Sequence, residues 1–126
     1  MTIKIAVPST QPGGLDAGMG MHFGHCDLYT LVDIHEETGE ILTVETCPSC
    51  AHEYGGCLAP VNYLAEKGVK VLLAGGMGMR PLMGFMQVGI DVYYAGTAAT
   101  VGDAVAALVR GDLPPFTPNN TCGAHH

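Results

Sequence analysis

Basic side chains are scarce: five Lys plus Arg stand against twelve Asp plus Glu, a formal charge of -7 over 126 residues. A nucleic-acid backbone is held by a stripe of Lys and Arg; none can be drawn here, so nucleic acid is excluded as a partner. Long apolar runs are also missing. No stretch approaches the roughly 18 apolar residues of a membrane span, and the apolar run inside MTIKIAVPST is too short for a signal-peptide core. The expectation is a cytoplasmic protein with no membrane partner. There is no low-complexity tract, collagen-like period or internal repeat. Nor is there a Ser-His-Asp order, a recognisable carboxylate pair or an HExxH. Nothing assigns a general acid or base, so an enzyme is not expected.

What is present suits one packed domain. Apolar residues make up 48% of the chain and charged ones 13%, and a chain of this length buries roughly two thirds of its unfolded surface. The 18 glycines and eight prolines mark many turns. Five cysteines are an odd number, and in a reducing compartment they read as ligands, redox groups or buried apolar residues before structural bridges.

Hydrophobic patterning predicts strands over Ile3–Val7 (stopped by Pro8), Asp27–Ile34, Ile41–Glu45, Val69–Ala74 and Ile90–Ala95. A helix over Leu58–Gly68 would present Leu58, Val61, Leu64 and Ala65 on one face. A second runs over Arg80–Gly89 with Pro81 in its first turn, and there the helical spacing of Met79, Met83 and Met86 reads as core packing. The third has Thr100 as cap, Asp103 at the capping-box position, a stripe of Val101, Val105, Leu108 and Val109, and Gly111 as its stop. The order βββαβαβα defines an α/β protein with one mixed sheet covered by helices.

Strand direction follows from that order. In a meander, the first and third strands run the same way, and helical crossovers keep the fourth and fifth parallel to the third. The connection from Pro8 to Cys26, the stretch from Thr46 to Cys57 and the turn GGMGM should then open at one sheet edge, where open α/β sheets bind ligands. Of the Cys and His residues that precede the tail, His22, His25, Cys26, Cys47, Cys50, His52 and Cys57 fall on that edge, and only His35 falls on the other.

Three stretches there carry chemistry. Cys47-Pro-Ser-Cys50 can chelate a metal or close a redox disulfide, and with His52 and Cys57 it could complete a tetrahedral Cys3His zinc site. MHFGHC offers His22, His25 and Cys26, with Gly24 permitting close backbone approach; solvated loop histidines are the alternative. AGGMGMRP follows a strand and opens a helix, so its amides and the helix dipole favour an anion, with Arg80 adding charge. It lacks the G-x-G-x-x-G spacing and the Walker lysine, so nucleotide binding is unsupported. Met77 and Met79 could offer thioethers. Cys122, His125 and His126 end a proline-rich tail, for which a metal-capturing role and a cloning remnant are both open.

IAVPS, a glycine-rich connection ending in HFGHC, YTLVDI, and the run from Cys57 to Gly96 together resemble the dinitrogenase iron–molybdenum cofactor-binding family, over roughly Ile3 to Leu108. The resemblance implies a ribonuclease H-like three-layer α/β/α fold with a five-stranded mixed sheet. It implies an anionic metal–sulfur cluster, iron–sulfur or molybdenum-containing, bound by a carrier or scaffold for cofactor biosynthesis, storage or transfer. It further implies cofactor-assembly or acceptor proteins as partners and leaves a homodimer open. The cofactor domain would be residues 1–111, and residues 112–126 an irregular tail. His22 matches the family's HFG histidine, and Gly75, Gly76 and Gly78 its glycine turn. The candidate cofactor-binding set is His22, Phe23, Gly24, His25, Gly75, Gly76, Met77, Gly78 and Arg80. The candidate metal ligands are Cys26, Cys47, Cys50, His52 and Cys57; in carrying Cys26, Cys47, Cys50, Cys57 and the tail thiol Cys122 this chain departs from many relatives. Soft thiolates and imidazoles suit iron–sulfur, copper or zinc centres. The alternatives are the Cys3His zinc-stabilised module and a CxxC thiol-redox protein.

Overall fold

The computed structural model describes residues 2–19, 28–48, 59–76, 79–95 and 98–116. In chain order these form β1 (Thr2–Ser9), β2 (Leu28–His35), β3 (Ile41–Pro48), α1 (Ala59–Glu66), β4 (Val71–Ala74), α2 (Met79–Gln87), β5 (Asp91–Tyr94) and α3 (Val101–Arg110). The strands make one mixed five-stranded sheet in the spatial order β3-β2-β1-β4-β5, so the fold is of the α/β class.

Alternation along the central strands sends neighbouring side chains to opposite faces. Ala6, Leu31, Leu72 and Val92 pack with Val61 and Leu64 of α1 and with Leu82 and Phe85 of α2. Ile5, Val7, Val32 and Leu73 pack with Val101, Ala104 and Val105 of α3 on the other side. Both faces of the sheet are thus covered at its centre. Edge strand β3 is not: Ile41, Leu42 and Val44 are 39%, 46% and 39% exposed.

Several expected boundaries and faces differ in instructive ways. Pro8 does not stop β1, which runs on to Ser9 with Pro8 opposite Tyr29. β1 pairs with β4 only at Ile5 and Ala6, so at Pro8 that flank is already an edge, a setting in which a missing N–H is tolerated. β3 continues three residues past Glu45, with Thr46 and Cys47 opposite Thr30 and Tyr29. On α2 the buried side chains are Leu82 and Phe85, whereas Met83 and Met86 are 53% and 68% exposed; the methionine spacing marks the solvent side. The side chain of Met79 lies outside the described residues. On α3, Ala104 joins Val101 and Val105 in the core while Val109 is 45% exposed. The last turn of α3 overhangs the β2–β3 turn, where Val109 lies against Gly39 (φ 75°), a position with no room for a Cβ.

The helix ends are as read. Thr100 Oγ1 accepts from the Asp103 amide at 3.1 Å, and Gly111 takes a left-handed φ of 77°. Thr100→Ala is expected to lower stability by about 1 kcal/mol, read as an earlier midpoint in urea unfolding with unchanged slope.

After α3 the chain returns to the free side of β5. The Tyr94 amide donates to Pro114 O at 2.9 Å and the Phe116 amide to Val92 O at 2.8 Å. Phe116 is buried, with its ring 5.9 Å from that of Tyr94. Leu113 is half-buried and Phe116 buried, while Asp112, Pro114 and Pro115 are exposed. Residues 117–126, with Cys122, His125 and His126, lie outside the described residues.

Candidate functional site at the carboxyl edge of the sheet

β1 pairs antiparallel with β2, and β2 antiparallel with β3; β1, β4 and β5 are mutually parallel. The carboxyl ends of β1, β3, β4 and β5 therefore share one edge with the start of β2, the convergence that strand direction required. His35, at the end of β2, lies on the far edge. Because α1, α2 and α3 each follow a strand ending here, all three start at this edge as well.

Each candidate residue can now be placed. Gly75 and Gly76 directly follow β4, half-buried and buried, and Arg80 is in the first turn of α2. The Ala95 amide donates to Ala74 O at 2.8 Å, tying the exit of β5 to that of β4. His22, Phe23, Gly24, His25 and Cys26 lie outside the described residues, between Met19 and Leu28, both at this edge. Cys50, His52 and Cys57 likewise lie outside them, between the end of β3 and the start of α1, as do Met77 and Gly78 between β4 and α2. Among the described residues, no three His, Cys, Asp or Glu side chains converge.

Cys47 is placed differently from the expectation of a loop thiol. It is in β3, opposite Tyr29, 7% exposed, and part of the cluster beneath α1 and α2. A cysteine in that setting behaves first as a small apolar residue, and its burial argues against an attacking thiolate, which needs access and a positive surrounding. It stands at the carboxyl end of β3, three positions before Cys50.

The described part of the connection after β1 is fastened along its length. The Thr10 amide donates to Gly18 O at 3.0 Å, and the Gly14 amide to Thr30 Oγ1 at 3.1 Å. Gly13 (φ 81°) passes so close to the ends of β2 and β3 that an added Cβ would be 2.6 Å from Thr46 Cγ2 and 2.9 Å from Leu28 Cδ1. On the other side, the Val101 and Gly102 amides donate to Ala17 O and Leu15 O at 2.9 and 2.8 Å.

That last pair separates the helices electrostatically. The opening amides of α3 are taken by Ala17, Leu15 and Thr100, and Asp103 adds a negative charge in its first turn. The first turns of α1 and α2 contain no acidic residue. The positive ends of the α1 and α2 dipoles are left without a side-chain anion of their own, which suits a negatively charged ligand on the α1–α2 side of the edge.

Reading the sequence for metal ligands missed Ser9, Thr30 and the Leu15–Ala17 carbonyls that fasten this connection. The hydroxyl of Thr30, flanked by the apolar strand residues Tyr29 and Leu31, was the available signal, because a buried hydroxyl needs a partner.

The chain is 30% identical over 116 residues to the uncharacterized protein MJ0580 of Methanocaldococcus jannaschii, covering 90% of this chain and 92% of that one. Its structure is similar to that of the apo form of the orange protein from Desulfovibrio gigas, with a TM-score of 0.72, 26% identity, and 90% and 96% of the two chains covered. It is similar in fold to the crystal structure of PH0822, with a TM-score of 0.75, 24% identity, and 90% and 96% covered. The family model described as dinitrogenase iron-molybdenum cofactor matches residues 1–111, and the chain belongs to that family.

Proposed function

We propose that this protein is a carrier or scaffold for an anionic metal–sulfur cluster, iron–sulfur or molybdenum-containing, held at the carboxyl edge of the sheet. The observation that carries the reading is the shared edge: β1, β3 and β4, whose continuations contain His22, Cys50 and the glycine turn, all end there. The absence of acidic residues from the first turns of α1 and α2, set against the closed and acidic start of α3, supports an anion as cargo. The family description supports iron and molybdenum chemistry, and the description of the similar orange protein structure as an apo form supports a protein that binds a ligand.

In this reading Gly75, Gly76 and Gly78 bring backbone amides close to the cluster, with Arg80 as a counter-charge. His22, Phe23, Gly24, His25 and Met77 complete the lining. Cys26, Cys50, His52 and Cys57 supply soft donors, with Cys47 behind them at the end of β3. The sheet order and helices on both faces support the ribonuclease H-like assignment of the architecture. The protein's work is binding and transfer to an acceptor protein, with no bond-making step assigned to a side chain.

Anaerobically purified protein is expected to contain iron or molybdenum and to show broad sulfur-to-metal absorption in the visible. A colourless protein with one zinc per chain would replace this reading with the Cys3His module. Metal-free protein with a cycling disulfide would replace it with thiol-redox chemistry.

A further inference from the structure

We propose that β3 is a homodimerisation edge: a second copy of this chain pairs its own β3 antiparallel to it about a two-fold axis at Val44, joining the two sheets into one. Neither the pairing nor its axis depends on the carrier reading.

The two edges of the sheet are finished differently. Beyond β5 the chain closes its own edge: Pro115 is bridged to Tyr93, the Tyr94 amide donates to Pro114 O and the Phe116 amide to Val92 O. Among the described residues no strand lies beyond β3, and every residue from Ile41 to Thr46 is exposed. An open edge is ordinarily blunted with lysine, proline or a covering segment. The run from Ile41 to Cys47 has no lysine, arginine or proline, and Glu45 is its single charge.

The hairpin fixes which backbone groups of β3 face outward. His35 spends both of its groups on the β3 side: its N–H donates to Glu40 O and its carbonyl accepts the Gly39 N–H, each at 2.8 Å. β2 pairs with β1 without a break from His35 to Leu28. The alternation of an antiparallel ladder therefore turns Asp33, Leu31 and Tyr29 to β3, and Val32 and Thr30 to β1. Thr43, Glu45 and Cys47, opposite the first three, are bonded to β2. Val44 and Thr46, opposite Val32 and Thr30, direct N–H and C=O away from the sheet. Such a row is completed by another strand.

Charge selects the register in which the strand fits itself. An axis at Glu45 would set like charges directly opposite one another, which is unfavourable. With the axis at Val44, Glu45 faces Thr43 of the second copy, and Val44 faces its own copy as a β-branched pair exchanging two amide bonds. Val44 lies on the α3 side of the sheet, like Val32 opposite it, so the pair buries a side chain that is 39% exposed in the single chain. The register irregularity at Asp33/Ile34 leaves the pairing regular from Thr43 onward. The chain's own tail, TPNNTCGAHH, follows Phe116 on the β5 side and is rich in proline, asparagine and glycine, which strands disfavour. In an antiparallel pair the carboxyl ends of the two β3 strands point apart, so the pairing brings the two cargo edges to opposite ends.

The test is the mass of the full chain by sedimentation velocity across sub-millimolar concentrations. The wild type is expected to run as a dimer. Val44→Lys sets two ammonium groups face to face at the axis, and is expected to weaken dimerisation more than about a hundredfold with an unchanged circular dichroism spectrum. Thr43→Lys sets a cation opposite Glu45 and is expected to dimerise at least as tightly as the wild type. Should Val44→Lys not fold, Val44→Pro carries the comparison, because an edge strand tolerates proline where the N–H faces outward. A monomeric wild type, or a dimer indifferent to the substitution at Val44, overturns the proposal. If that monomer still protects the Val44 and Thr46 amides from hydrogen exchange, the edge belongs to the chain's own tail. Dimerisation lost in Thr43→Lys as in Val44→Lys overturns the axis at Val44.

Discussion

Cys47→Ala combined with Cys50→Ser is expected to yield a folded protein that emerges from anaerobic reconstitution with its metal content lowered by more than about tenfold. Disturbing even the outer partners of a metal ligand weakens affinity by about 10–100-fold, and this variant removes two thiols from the candidate set. The substitutions differ because the sites differ. Cys47 is 7% exposed beneath α1 and α2, so serine there would bury a hydroxyl and confound metal loss with a destabilisation of about 1–3 kcal/mol. Alanine avoids that. Elemental analysis of the double variant and of each single one apportions the effect. Unchanged metal in Cys47→Ala would leave Cys47 as a core residue alone, and unchanged metal in the double variant would remove both thiols from the ligand set.

Phe85→Ala is expected to destabilise the protein by about 3–5 kcal/mol, the cost of a vacated aromatic site in a core that cannot close over it. Phe85 is fully buried and packs in the cluster that joins α1 and α2 to the sheet. Its carbonyl also accepts the Ile90 amide at 2.9 Å, which ends α2 and turns the chain into β5. The thermal midpoint should fall by on the order of 10–20 °C. Met86→Ala, one position along and 68% exposed, should move stability by less than about 0.5 kcal/mol. A large loss at Met86 with none at Phe85 would mean that α2 packs by its methionine side. Thermal unfolding followed by circular dichroism decides between the two.

Local chemistry made much of the fold legible. Thr100, Asp103 and Gly111 bracket α3 by capping rules that need only neighbours in sequence. Gly68 and Gly89, at φ 85° and 81°, end α1 and α2 for the same reason. The convergence of strand ends was also legible, since chain order and connection type constrain direction before any distance is known. Faces were harder. On α2, methionine and leucine–phenylalanine stripes share one helical period, and periodicity does not say which stripe meets the sheet. On β3, Cys47 in a C-x-x-C has the appearance of a loop ligand, and only pairing with Tyr29 draws it into the strand.

The sequence by itself determined the class of fold, the strand directions and the edge at which the cysteine, histidine and glycine segments begin, because these follow from periodicity and from the type of connection between successive elements. Only the tertiary structure decided that Cys47 is buried, that α3 has its opening amides closed by Leu15 and Ala17, and that Ser9 and Thr30 hold the connection after β1. Those facts depend on which residues distant in the chain come within hydrogen-bonding reach. That reach is set by packing across the sheet, not by any local pattern.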